Sequence, residues 1–355
     1  GGGAGGGAGI AAGGADRTRI MPTVLPLPRV ERMSVTAFRD YLASPYAFYV
    51  RHVLRLDEVG VPPTELDALA FGSLVHTVLD RFGRSDAAAS TSDEMVRTVL
   101  LDELSTLVRR RLGRRRSPAV KLQISTAAER LSAFARVQAQ RARQGWRIAH
   151  CEWSPAAQAA ERAARRAGAT QADAGPAVVA PHPTLAAGAE TMILTGKVDR
   201  IDVHEDGRWA IFDYKTGESQ DDPEKAHRGS NGEWKDLQLP LYRHLIAELG
   251  PPRDEGQMAV GYIALPRDPA EVRIVEARWH ADDYVSADEA ARGVILAVRA
   301  GRFAELGKRP PEDGPVAALC GVGYIGATPG AEEEQAEGED GAGGGGVGGG
   351  FGGGA

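Results

Sequence analysis

Asp199, Asp213 and Lys215 are the residues best placed to do chemistry in this chain, because each interrupts a stretch that otherwise reads as apolar strand. Residues 194–215, LTGKVDRIDVHEDGRWAIFDYK, divide into two strands around Glu205-Asp206-Gly207, a sequence suited to a tight hairpin turn. Val198, Ile201 and Val203 supply apolar positions in the first strand, and Trp209-Ala210-Ile211-Phe212 form a short buried run in the second. Asp213 and Lys215 are two residues apart, so both point to one face of their strand. Two carboxylates and an ammonium on one hairpin face can hold a divalent metal ion beside a phosphate. The hairpin alone is equally consistent with an exposed salt-bridge ladder, since paired charges on a solvated strand face are common.

Other elements must position these groups or add to them. DALAFGSLVHTVLDRF, residues 67–82, repeats Leu69, Leu74, Val75, Val78, Leu79 and Phe82 at helical spacing. His76 lies one turn after Gly72 on the same side of that helix. Such a histidine alone fits a packed core residue. Gly72 is the suggestive neighbour, because a residue without a side chain lets a backbone or ligand come close. RIAHCEW, residues 147–153, reads as a strand carrying Glu152. DLQLPLYRHLIAEL reads as a helix with Gln238 and Tyr242 four apart on one face, Pro240 in its first turn, and Gly250-Pro251-Pro252 ending it.

Ser34 suits the N-cap of a short helix, SVTAFRDYLAS, and Pro45 opens a second, PYAFYVRHVLRL, whose Tyr46, Phe48 and Tyr49 read as core. Helices at about 93–112, 121–145 and 282–300 and strands at about 257–265 and 272–279 complete the pattern. An Ala-rich stretch, about 155–190, reads as an insertion between two strands with no function of its own.

Composition sets the bounds. Of the 45 glycines, 21 lie in residues 1–14 and 338–354, two low-complexity tails that cannot form a core. About 315 residues remain, enough for a sizeable one. No apolar run is long enough to span a membrane and no signal peptide opens the chain, so a cytoplasmic protein without membrane contact is expected. The chain does not begin with Met, which fits a piece of a longer one. Two cysteines, Cys151 and Cys320, exclude a disulfide framework and a cysteine-only four-ligand metal site. The net charge of −6 argues against a uniformly basic binding protein. Arg109-Arg110-Arg111 and Arg114-Arg115-Arg116 could nevertheless track a phosphate backbone; a solvated helix end, whose cations suit the C-terminal dipole, explains them equally well.

In order, the chain presents GSLVH, an acidic strand, GKVDRID, DYKTG and QLPLY. This series resembles the PD-(D/E)XK nuclease superfamily, specifically its RecB-like branch, over residues 34–325. Within the branch it looks most like the C-terminal nuclease domain of helicase–nucleases of the AddB type. The resemblance implies an α/β (α+β) fold: a restriction-endonuclease-like core with a central mixed β-sheet flanked by helices, plus an N-terminal helical part. The expected bounds are residues 31–326 for the nuclease domain, with the helical part at about 31–146 and the catalytic core at about 147–300. Residues 1–30 and 327–355 are expected to be disordered.

By the same resemblance, the activity is metal-dependent hydrolysis of DNA phosphodiester bonds, exonucleolytic rather than endonucleolytic. The setting is a helicase–nuclease used in double-strand-break repair and recombination, with DNA and a helicase subunit or domain as partners. Asp199 and Asp213 would coordinate Mg²⁺, with Mn²⁺ a substitute, together with the backbone carbonyl of Tyr214 and with His76. Lys215 would orient the attacking water and offset developing charge. Gln238 and Tyr242 would contact the DNA backbone near the cut, and Arg110, Arg111, Arg114 and Arg115 would add phosphate contacts. Glu152 stays open between a second metal and a structural hydrogen bond, and Arg200 with Asp202 reads as a local ion pair.

Relatives of the AddB type often carry a cysteine before the Pro-Tyr of the second short helix and three more near the C-terminus. Here Ser44 precedes Pro45-Tyr46, and only Cys320 remains, with Gly323 where another cysteine is expected. Four thiolates are the usual requirement, so no iron–sulfur cluster is expected. The competing reading is a catalytically silent DNA-end-binding or scaffold module. The missing cysteines favour it; retention of Asp199, Asp213 and Lys215 together does not, because inactive relatives typically lose one. A CRISPR-associated RecB-like exonuclease is a third reading, but those chains are shorter and usually carry the cluster cysteines.

Overall fold

The computed structural model describes residues 29–56, 65–113, 116–159, 182–217, 222–252, 256–309, 311 and 317. The Gly-rich arm through residue 28, the acidic tail, residues 160–181 of the Ala-rich insertion, Arg114, Arg115, Cys320 and Gly323 lie outside them.

The chain enters through β1 (Arg32–Ser34), α1 (Ala37–Ala43) and α2 (Pro45–Phe48), the last running into a π-helical turn at Tyr49–Val53. The N-cap of α1 is Thr36 and not Ser34, which ends β1 and whose Oγ accepts from the Ala37 amide at 3.1 Å. Three longer helices follow: α3 (Ala68–Gly83), α4 (Asp93–Leu112) and α5 (Pro118–Arg143). Each begins at a side-chain cap, from Asp67, Ser92 and Ser117 respectively, which satisfies one of the amides a helix start leaves unpaired. Pro118 at the first helical position starts α5 earlier than its apolar periodicity alone indicates.

Strands β2 (Trp146–Trp153), β3 (Thr184–Ala187), β4 (Glu190–Thr195), β5 (Val198–His204) and β6 (Trp209–Lys215) come next. Then α6 (Pro223–His227) and α7 (Gln238–Leu245) cross over to β7 (Met258–Ala264), which β8 (Arg273–Glu276) and α8 (Ala281–Arg299) follow. Five strands form one sheet in the order β2-β5-β6-β7-β8. Only β6 and β7 pair in parallel, so the sheet is mixed, and the crossover that a parallel pair requires is the segment carrying α6 and α7.

The β5–β6 hairpin forms as its sequence predicts. Gly207 takes φ 92° in the turn, a conformation that favours glycine, and the His204 amide donates to the Arg208 carbonyl across it at 2.8 Å. Residues on β6 then alternate between two apolar layers. Ala210, Phe212 and Tyr214 face α3, α4 and α5, while Ile211 faces the layer holding α1, α2, α7 and α8. Asp213 and Lys215, in step with Ile211, belong to the second face.

Residues 184–195 depart from the expected organisation. Composition bounds the insertion at about residue 190, yet β3 and β4 form a hairpin there, in a second sheet of order β1-β4-β3. Thr184-Leu185-Ala186-Ala187 does alternate exposed and buried positions, but Leu185 and Ala187 alone on its inner face give too little apolar contrast to distinguish it from Ala-rich surroundings. Gly196 separates β4 from β5. It has φ 150°, and a Cβ there would meet Val35 Cγ2 at 3.0 Å and Leu245 Cδ1 at 3.1 Å.

The end of the domain returns to its beginning. Phe303 stacks on Phe48 and Tyr49, the Tyr46 amide donates to the Glu305 carbonyl at 3.0 Å, and the Arg309 amide donates to the Ala43 carbonyl at 3.0 Å. Ser44 is buried in this joint, its hydroxyl accepting from the Ala47 amide.

Candidate active site

The pairing of β5 with β6 ends at Arg200 and Phe212, and Asp199 and Asp213 follow at that end, near enough for the Asp213 charge to act on Asp199. Like charges facing across a strand pair are unfavourable unless a proton or cation lies with them. Asp199 Oδ2 accepts from the Tyr214 amide at 2.9 Å. Burial, then the neighbouring Asp213 charge, pushes the Asp199 carboxyl up to about 8.

Asp213 is buried and fully engaged. Its Oδ2 receives Lys215 Nζ at 2.7 Å, and its Oδ1 accepts from Gln238 Nε2 at 2.7 Å and from the Tyr242 hydroxyl at 3.0 Å. Gln238 heads α7, where Asp236 Oδ1 accepts its amide at 2.8 Å and fixes the helix start against the end of β6. Gln238 and Tyr242 also bond each other, at 2.6 Å. Tyr242 has 0 % exposure, so its hydroxyl meets a carboxylate and not solvent or a polymer backbone. In this structure the Tyr242 hydroxyl therefore holds Asp213, while Gln238 is only partly buried. The sequence placed both side chains on one helix face correctly, but which neighbour that face meets depends on how α7 packs.

His76 approaches from α3. Its Nε2 lies 3.2 Å from the Tyr214 carbonyl oxygen, which can only accept, so Nε2 carries the proton. Nδ1 then presents a lone pair toward Asp199 Oδ2 at 3.4 Å. Burial lowers the imidazole's proton affinity and keeps it neutral, while the nearby carboxylates pull the other way. Two lone-pair groups facing each other call for a proton or a cation between them. Glu152, on β2, completes a set in which one ligand atom each from His76, Glu152 and Asp199 lie within 4.8 Å of one another. Its backbone has φ 48°, an unusual conformation for a glutamate within a strand, and its carboxylate bonds Lys197. Oxygen donors with one neutral imidazole fit a divalent cation that prefers oxygen.

Gly72, Ser73, His76, Thr77, Glu152, Lys197, Asp199 and Thr216 line a cleft of about 700 Å³. At Gly72 a Cβ would lie 3.2 Å from Thr216 Oγ1, which is why the helix approaches the end of β6 so closely. Arg110 and Arg111 are exposed at the end of α4, and Arg111 Nη2 reaches Thr77 Oγ1 on the cleft wall at 3.3 Å.

Three supporting groups surround the site. Arg130 on α5 is buried and donates to the carbonyls of Thr216, at 2.7 Å, and Leu265, at 3.1 Å, tying together the ends of β6 and β7. Arg200 and Asp202 form the expected ion pair at 2.6 Å, and Arg141 from α5 joins it at 2.6 Å, making a buried network beneath the hairpin. His227 and Tyr262 lie on the Lys215 side. On a helix, Arg130 and Arg141 look like polar-face residues until the sheet covers them.

The sequence model of the PD-(D/E)XK nuclease superfamily matches residues 32–321, and the chain belongs to that superfamily. The mixed sheet flanked by helices is the restriction-endonuclease-like arrangement such nucleases share. No curated protein matches the chain. Among the described residues no helix is long and apolar enough to cross a membrane.

Proposed function

We propose that this protein is a Mg²⁺-dependent deoxyribonuclease of the RecB-like branch, exonucleolytic, and the nuclease module of a helicase–nuclease acting in double-strand-break repair and recombination. The observation that carries the reading is Lys215 bonded to Asp213 and His76 facing Asp199, with the Asp213 charge acting on Asp199. Structural ion pairs do not usually leave a half-buried carboxyl with its proton affinity raised by burial and a second carboxylate, and such groups cluster at functional sites.

Asp199, Asp213, His76 and the Tyr214 carbonyl would hold the cation, with Mn²⁺ accepted in place of Mg²⁺. A bound cation of this kind neutralises a phosphate, lowers the pKa of a coordinated water and stabilises the leaving oxygen. Gln238 and Tyr242 aim the Asp213 carboxylate by occupying its Oδ1. Lys215, half-exposed beside it, is placed to orient the attacking water and to offset charge developing on phosphorus. Glu152 serves either a second cation or the Lys197 contact that it makes. The arginines 110, 111, 114 and 115 would bind the DNA backbone beyond the cleft without reading sequence.

Cleavage of linear DNA with Mg²⁺, compared with the Asp213→Ala variant, tests the assignment. The variant is expected to fold and to lose cleavage, since removing one carboxylate relieves repulsion in the metal-free protein. Full activity of Asp213→Ala would refute the metal assignment.

A further inference from the structure

Lys215 has a second partner that the catalytic scheme does not use. Tyr262 stands directly across from Asp213 in the parallel β6–β7 register, so its side chain emerges on the same face as Asp213 and Lys215. Lys215 Nζ lies over the Tyr262 ring, 4.8 Å from its centroid. An ammonium in that position is attracted by the negative face of the ring.

The ring is itself held. The Tyr262 hydroxyl is 2.6 Å from His227 Nε2, and His227 Nδ1 is 2.8 Å from the backbone carbonyl of Asp236. A carbonyl oxygen only accepts, so Nδ1 carries the imidazole proton and Nε2 is free to accept from the Tyr262 hydroxyl. His227 is 0 % exposed, and burial lowers its proton affinity, which favours this neutral form. Trp279 packs edge-on against His227, with ring centroids 5.4 Å apart. The crossover between β6 and β7 thereby fixes a ring beneath the lysine. Asp236 anchors His227 by its carbonyl and the start of α7 by its side chain.

We propose that Tyr262 is a positioning residue for Lys215, with His227 locking its ring. The ring face keeps the ammonium beside Asp213, confining a long side chain to the geometry that cleavage needs. Tyr262 touches neither DNA nor the cation in this scheme. The inference rests on Lys215 being catalytic, as proposed above.

The experiment compares wild type with Tyr262→Leu and Tyr262→Phe. Phenylalanine keeps the ring face and loses the hydroxyl that bonds His227, whereas leucine keeps apolar volume and loses the ring. Two readouts are needed: kcat and KM for linear DNA at saturating Mg²⁺, and the proton shift of the Lys215 ε-methylene in protein labelled with ¹³Cε-lysine. Lys215 is identified there by its loss in Lys215→Arg. The leucine variant is expected to lose the ring-current shift and to lower kcat about 3- to 30-fold, with KM within about 2-fold of wild type. The phenylalanine variant is expected to keep a smaller ring-current shift and to lower kcat less than leucine does, the remaining loss being what the His227 bond contributes. A leucine variant with unchanged kcat, or a Lys215 shift indifferent to the ring, would overturn the proposal. If wild type cleaves nothing, the nuclease reading fails by itself, while the lysine shift still decides whether Tyr262 places Lys215. Thermal melting of each variant separates loss of fold from loss of placement.

Discussion

Replacing Asp199 with Asn should make the metal-free protein more stable at alkaline pH while removing its response to Mg²⁺. The amide is isosteric, and its oxygen can still accept from the Tyr214 amide, which lies 2.9 Å from Asp199 Oδ2. The Asp199 carboxyl is raised from 3.8 to about 8, first by burial and then by Asp213. Between these values the folded state holds a proton that the unfolded chain has already released. Stability contributed by this group is therefore fully present below about pH 4 and is lost as pH rises through about pH 8. One pKa unit corresponds to about 1.4 kcal/mol, so the carboxyl costs the metal-free fold on the order of 3–5 kcal/mol near pH 8, relative to a neutral isostere. At the scale of this domain that amounts to roughly 5–15 °C in Tm. Thermal unfolding in a chelating buffer at several pH values between 5 and 8.5 reads it directly. Wild type should melt progressively lower as pH rises, and Asp199→Asn should lose most of that slope. Adding Mg²⁺ at pH 8 should raise the Tm of wild type and leave the variant unmoved, because only a ligand of the folded site stabilises it. Parallel pH slopes, or a variant that melts below wild type at pH 8, would refute the reasoning.

Three other perturbations follow from the same geometry. Tyr242→Phe removes one of two donors to Asp213 Oδ1 and should lower kcat by about tenfold, on the scale of one hydrogen bond to a charged group, with DNA affinity in metal-depleted buffer unchanged; weakened DNA binding instead would return Tyr242 to the DNA surface. Replacing Arg110, Arg111, Arg114 and Arg115 with Ala should flatten the plot of log affinity against log salt by roughly 0.7–0.9 for each lost phosphate contact. An unchanged slope in a metal-depleted titration would reduce that cluster to a solvated helix end. Asp202→Ala strands Arg200 and Arg141 without their shared anion and should cost about 3–5 kcal/mol in denaturant unfolding, the scale for a buried pair that loses one partner; a loss under about 1 kcal/mol would mean the network is hydrated.

Much of the site was legible in the sequence because its residues violate local patterns. Asp199 and Asp213 break apolar strands, Gly207 marks the turn between them, and the spacing of two predicted the common face on which Asp213 and Lys215 meet. His76 could be placed on its helix face, and Gly72 one turn earlier flagged the close approach that Thr216 makes. Tyr242 shows the limit. Helical periodicity located its face but not the burial that turns its hydroxyl onto Asp213. Arg130, Arg141, His227 and Tyr262 were invisible for a related reason, since their meaning comes from contacts far along the chain that no local pattern records. The β3–β4 hairpin was missed because the four residues of β3 offer Leu185 and Ala187 alone as inner positions, too little hydrophobic contrast against Ala-rich surroundings.

Phe303 and the return of the chain onto α1 and α2 bear on how this domain comes to exist. During synthesis, Phe48 and Tyr49 emerge near the start and must wait for Phe303, at the far end of the domain, before their faces are covered. β1 waits in the same way for β4, a pairing of high sequence separation that folds slowly. The helices α3, α4 and α5 form their mutual contacts locally and can gather early, so the two apolar layers are expected to mature at different times. A chain that stops short of Phe303 should therefore bare the aromatics of residues 41–49 while keeping the α4–α5 pair, and limited proteolysis of such a truncation should cut first within residues 37–53. Equal protection of that segment with and without the return would show that the first helices hold themselves.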